Sequence, residues 1–182
     1  AYPGVFTGVP NNGPQSISIL NENNFEAIGN PYPSPINADL FISENIGTLY
    51  FWTNTNPPEN NTYDGINNWV YYNVAGKTGV DGELEVVDDM PIQPGQGFVI
   101  MTEQRTVVFN NSMRTSNNGD FYKMMSNEKH RFWLNLSNEE VVFNQILVGY
   151  MDNATQGVDT GIDAEMFAYE GNALYSIIEN SD

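Results

Sequence analysis

The sequence predicts an all-β fold, an antiparallel β-sandwich or jelly roll with one or two short helical turns, built from residues 1–182 as a single domain. Three observations predict it. Short apolar or alternating runs recur along the chain, and a period of two is the mark of a strand with one face turned inward. Clusters of Asn, Gly, Pro and Asp separate these runs and supply the turn conformations that join neighbouring strands. No stretch of helical period is long enough to build a helical layer, and no internal repeat of roughly 20–50 residues is present, which excludes solenoids and propellers.

In chain order, residues 16–20 alternate polar and apolar side chains and open the series. Residues 35–42 predict a short helix starting near Asn37 or Ser34, where a side-chain oxygen can accept an orphan backbone N–H. Residues 48–53 predict a strand with Leu49, Phe51 and Thr53 on one face and Tyr50 and Trp52 on the other. A turn at Asp64-Gly65 leads into a strand at 69–74, and one at Pro94-Gly95 into a strand at 97–102. Strands at 106–109, 131–136 and 141–151 follow. Residues 163–167 predict one helical turn capped by Asp163, and 174–178 close the series as a strand. Residues 54–68 and 77–91 read as loops, the second carrying Asp81, Glu83, Glu85, Asp88 and Asp89. Strands resume directly after each, so both are excursions from one domain.

Composition narrows the function classes. A chain of 182 residues, 40% hydrophobic and 13% aromatic, has enough apolar surface to fold despite its charge. At this size it buries roughly 70% of its unfolded surface. Against 23 Asp and Glu stand 6 Lys and Arg, for a formal net charge of −17. That sign, with no basic run, repels phosphate backbones and anionic lipid, so nucleic acid is not an expected partner. No apolar stretch reaches the ~18–20 residues that span a bilayer, so direct membrane insertion is not expected either. The absence of cysteine excludes disulfides, thiolate zinc sites and cysteine nucleophiles. The 26 Asn, about one residue in seven, point to Asx turns. The chain opens on Ala1 with no signal-peptide pattern, as expected of a piece excised from a longer protein.

Catalysis finds little footing. The single histidine, His130, lies between Lys129 and Arg131, and no Gly-x-Ser-x-Gly elbow accompanies it. An exposed strand-edge histidine is the expectation, and the chain is not expected to be an enzyme. A zinc site lacks ligands. Paired carboxylates, as in a glycoside hydrolase, are placed by the fold rather than by spacing, and most acids here sit in turn-rich loops.

Two constellations can bind. Residues 150–164 bring Asp152, Asn153, Asp159 and Asp163 together with Gly157 and Gly161, an oxygen-rich loop of the kind that takes structural calcium. Its spacing is not that of an EF-hand, and an Asx-turn connection explains the same residues. Tyr50, Trp52, Trp69 and Tyr71 are strand aromatics that can stack on sugar rings if their face is open, although strand aromatics also fill cores.

Several phrases carry a resemblance. They are residues 27–39 (AIGNPYPSPINAD), 47–53 (GTLYFWT), 94–98 (PGQGF), 107–114 (VVFNNSMR), 131–137 (RFWLNLS), 146–150 (ILVGY) and 154–164 (ATQGVDTGIDA). Taken in order they cover most of the chain. They resemble the β-rich, non-catalytic region of large flavobacterial (Bacteroidetes) secreted and surface proteins that depend on type IX secretion and carry a C-terminal sorting domain. The resemblance implies an extracellular or outer-cell-surface location and a place beside other domains of the same polypeptide. It carries over no catalytic or ligand residue.

The function expected is therefore a non-catalytic binding module, for glycan binding or adhesion, with polysaccharide or cell-surface glycan as partner. Acidity shapes that expectation, since an anionic glycan is repelled unless calcium bridges it. A structural spacer next to the export region and a carboxylate-based glycoside hydrolase are the alternatives.

Overall fold

Alternating apolar residues make strands wherever the turns allow. A computed structural model describes residues 5, 7–20, 25–52, 69–78, 90–116, 130–137, 142–166 and 173–178. Among them run β1 (Gln15–Ser18), β2 (Phe25–Gly29), β3 (Ile36–Asn37), α1 (Ala38–Glu44), β4 (Thr48–Trp52), β5 (Trp69–Asn73) and β6 (Gly76–Thr78). They are followed by β7 (Pro91–Ile92), β8 (Gly97–Met101), β9 (Thr106–Phe109), β10 (His130–Ser137) and β11 (Val142–Tyr150). The fold is all-β, and every strand pair is antiparallel. The main sheet has the order β2-β8-β4-β5-β6, and β1-β9, β3-β7 and β10-β11 form two-stranded sheets. No helix among the described residues is long and apolar enough to cross a membrane.

The pleat divides the main sheet into two faces. Ile28, Phe98, Ile100, Leu49, Phe51, Val70 and Tyr72 point inward, where Ile17 and Val107 of β1-β9, Ile36 and Ile92 of β3-β7, and α1 complete one buried cluster. This layering is sandwich-like. Each fully buried aliphatic or phenyl side chain in it contributes roughly 1.5–3 kcal/mol. Phe41 of α1 is central, meeting Phe98 edge-on at 5.5 Å and Phe109 at 5.0 Å between ring centres. The outward face carries Tyr50, Trp52, Trp69, Tyr71, Asn73, Val99 and Met101.

The helix begins where a cap is available. The Asn37 side chain accepts the Leu40 N–H at 2.8 Å, and Asp39 in the first turn faces the positive end of the helix dipole. Of the two starts the sequence offers, Asn37 is the one used, because Ile36 and Asn37 pair with Ile92 and Pro91 as β3. The Pro94-Gly95 turn is present, closed by Gln96 N–H donating to Gln93 C=O at 3.0 Å.

Asparagines do more than shape turns. Asn30, Asn45, Asn73 and Asn144 are buried. Asn30 donates to the carbonyls of Ser34 and Ile92, both at 2.9 Å, and accepts the Tyr32 N–H at 2.9 Å. A primary amide offers two donors and an acceptor on a short stem, so it can tie three backbone segments at once.

Two expectations are corrected. Residues 174–178 form no strand, and Ala164, Glu165 and Met166 are not helical. The Asp163 carboxylate turns back to accept the Asp159 N–H at 2.7 Å, so it closes the preceding turn instead of capping a following helix. The Asp64-Gly65 turn, the loop at 54–68 and the acidic residues at 81–89 lie outside the described residues.

Candidate functional site

β4 and β5 are neighbours, with Tyr50 opposite Tyr71 and Trp52 opposite Trp69. All four aromatic residues expected to bind thus share the outward face. Tyr50 and Tyr71 meet at 5.1 Å and 69°, and Trp52 and Trp69 at 5.1 Å and 74°, both edge-to-face. Phe25 adds a further edge contact to Tyr50 at 5.8 Å.

Access to the four is graded. Trp52 is 41% exposed, Trp69 and Tyr71 are half-buried, and Tyr50 is fully buried. Burial pushes the Tyr50 hydroxyl well above the ordinary tyrosine range, Tyr71 and Glu165 add to the rise, and a hydrogen bond with the Glu165 backbone opposes it. Tyr50 therefore supports the row from beneath and presents no ring face. Of the other strand aromatics, Tyr72 lies in the core and Trp133 is half-buried in β10.

Beside the row opens a cleft of ≈ 800 Å³, within the ~300–1,000 Å³ usual for ligand sites. Its floor is Tyr71, Asn73 and the β5-β6 hairpin. One wall is the segment from Val158 to Met166, tied down where Asn73 Nδ2 donates to Ile162 C=O at 2.7 Å and Thr48 Oγ1 to Asp163 C=O at 3.2 Å.

The other wall is β11 with residues 175–178. Its hairpin docks through side chains of β10. Arg131 Nη1 donates to Ala75 C=O at 2.8 Å, and the Trp133 indole N–H donates to Lys77 C=O at 3.0 Å. Arg131 also lies 5.2 Å from the Trp133 ring centre, a cation–π contact. Gly76 makes the docking possible. Its φ is +146°, and a Cβ there would come within 2.6 Å of Arg131 Nη1. Leu174 N–H donates to Asn144 Oδ1 at 2.7 Å and holds the last described segment against β11.

The cleft mixes apolar and polar groups, among them Tyr71, Thr78, Gln145, Tyr175 and Ser176. Its charged lining is Glu103, Asp163 and Glu165; no Lys, Arg or His lines it among the described residues. Thr160 Oγ1 donates to Glu103 Oε1 at 2.8 Å, so two of these three carboxylates are engaged within the wall.

The oxygen-rich loop is organised by its own backbone. Asp159 accepts from the Thr155 N–H and, at 2.9 Å, from the Thr155 hydroxyl. Asp152 and Asn153 are exposed, and Asn153 sits at φ 70°. Among the described residues no three His, Asp or Glu side chains converge as a metal-binding group. His130 is exposed at the start of β10.

Most of the cleft was invisible to sequence reasoning. Glu103, Gln145, Thr160 and Tyr175 come from separate segments, and only the register brings them together. The usable signal was Asn73, a polar residue on the same face as Trp69 and Tyr71.

The family model for a domain of unknown function, DUF8693, matches residues 1–182. The chain belongs to this family. No curated protein and no solved structure matches it. For a DUF8693 chain the cleft and the aromatic row are thus read from their own geometry.

Proposed function

We propose that the chain is a non-catalytic, glycan-binding module of a secreted or cell-surface bacterial protein, acting in attachment beside other domains of the same polypeptide. The observation that carries the reading is the continuity of the outward-facing Trp52, Trp69 and Tyr71 with a cleft bearing hydroxyl, amide and carboxylate groups. Aromatic faces pack on the C–H surfaces of sugar rings, and the polar groups of a mostly apolar pocket fix orientation through hydroxyls. The placement outside the cell rests on the resemblance of the quoted phrases to those of type IX-dependent proteins.

A spacer domain would need no open aromatic face and no cleft. A carboxylate hydrolase would need two acids facing a bond, and Asp163 and Glu103 are turned to partners in the wall. Affinity electrophoresis of the 182-residue chain through gels holding neutral or anionic polysaccharides, with and without calcium, tests the reading. Retardation by a polysaccharide without release of reducing ends is expected. Free migration through every gel overturns glycan binding, and release of reducing ends overturns the non-catalytic assignment.

A further inference from the structure

We infer that the site takes an extended, uncharged polysaccharide along β5, reading several consecutive sugars rather than one sugar or a chain end; this rests on the glycan-binding reading above. The first argument is length. Trp69, Tyr71 and Asn73 occur at alternate positions of β5 and face the same side. At a strand rise of ~3.3 Å per residue, Trp69 lies roughly 13 Å from Asn73, a buried residue at the cleft floor, so the row and the cleft together exceed the span of one sugar ring. Trp52 widens this line at its open end through its edge contact with Trp69. The cleft occupies the other end, beyond Tyr71. A single sugar held in the cleft would leave the two tryptophans unused.

The second argument is charge. Carboxylates are the charged groups among the described lining residues, and the chain as a whole carries −17. A sulfate or uronate group would meet like charge on the lining, where no cation faces it among the described residues. Hydroxyls suit Thr78, Gln145 and Ser176, which offer both donors and acceptors, and Glu165, whose carboxylate accepts.

The test is a length series. Neutral gluco-, xylo- and manno-oligosaccharides of two to six units are titrated calorimetrically into the wild-type chain and into Trp52→Ala, in EDTA at low ionic strength. In the series that binds, affinity is expected to rise about tenfold or more from dimer to hexamer. Trp52→Ala is expected to remove most of that rise, so that hexamer affinity falls toward that of the dimer. Trp52 is half-exposed, so its removal spares the core. Equal affinity for dimer and hexamer overturns the extended site. A sulfated or uronate polymer that binds as tightly as its neutral counterpart in parallel gels overturns the restriction to uncharged chains. Absence of binding by every polysaccharide and oligosaccharide overturns the glycan reading itself and this inference with it.

Discussion

The side-chain amide of Asn45 pairs with the backbone of Val108 as a strand would: its nitrogen donates to Val108 C=O at 2.8 Å and its oxygen accepts Val108 N–H at 2.8 Å. Val108 is also opposite Ser16 in the β1-β9 sheet, so Asn45 occupies the edge of β9 that β1 does not use. The same nitrogen reaches Phe41 C=O at 3.0 Å, joining the end of α1 to the sheet. Asn45→Ala leaves the partly buried N–H and C=O of Val108 without partners and is expected to cost about 2–4 kcal/mol. At this chain length that lowers Tm by roughly 5–15 °C. Thermal and urea denaturation measure it. A loss under about 0.5 kcal/mol would show that water replaces the amide without penalty.

Gly47 lies against β8, where an added Cβ would overlap the Met101 carbonyl oxygen and approach Thr102 Cβ at 3.2 Å. Backbone atoms of a central strand cannot step aside as a flexible side chain can. Gly47→Ala is therefore expected to destabilise by about 1–3 kcal/mol, although alanine ordinarily stabilises by restricting the unfolded chain. An unchanged or raised urea midpoint contradicts this packing.

Tyr50 sets an alkaline limit. Burial raises its pKa above the ordinary 10.0, so the folded state keeps the proton after the unfolded chain has released it. The stabilisation is complete below about pH 10 and declines as pH rises from there, by up to ~1.4 kcal/mol per pH unit for one such group. Urea midpoints followed from about pH 8 to pH 11 should fall steeply at the upper end. Tyr50→Phe should start lower, having lost its hydroxyl hydrogen bond, and fall less steeply. Parallel curves for the two proteins would remove Tyr50 from the account.

The loop around Asp159 is expected to be self-supporting. Its carboxylate takes two hydrogen bonds from Thr155, and Asp163 secures the Asp159 N–H. Asp159→Ala should cost about 1 kcal/mol, the usual value of such a local cap. EDTA should leave Tm unchanged for the wild-type chain. A chelator-induced drop that excess calcium reverses would establish a bound ion that stabilises the fold.

Strand aromatics were legible in the sequence because alternation alone separates their faces. It places Tyr50 and Trp52 opposite Leu49 and Phe51, and β4 bears this out. The turn chemistry of Pro94-Gly95 and the Asn37 cap were equally local. What lay beyond reach was settled by distant partners. β3 and β7 are two residues each and show no period, while Phe25–Gly29 becomes a strand because β8 lies beside it. The apolar run at 174–178 has strand composition but pairs with no strand among the described residues. Asn30 and Asn45 read as turn residues because their composition signal is the same whether the amide meets its own loop or a remote carbonyl. The cleft is hidden for the same reason, being assembled from five separate segments.

The strand order also has a temporal side. β8 lies between β2 and β4, so Ile28 meets Phe98 and Leu49 meets Ile100 across long stretches of chain. Closing such loops costs entropy before the contacts return anything, which slows folding. During synthesis β4 and β5 can form a hairpin early, but β2 waits for β8 to emerge. Until then the future inner face of the sheet is incomplete, and a nascent chain in this condition is a client for a chaperone.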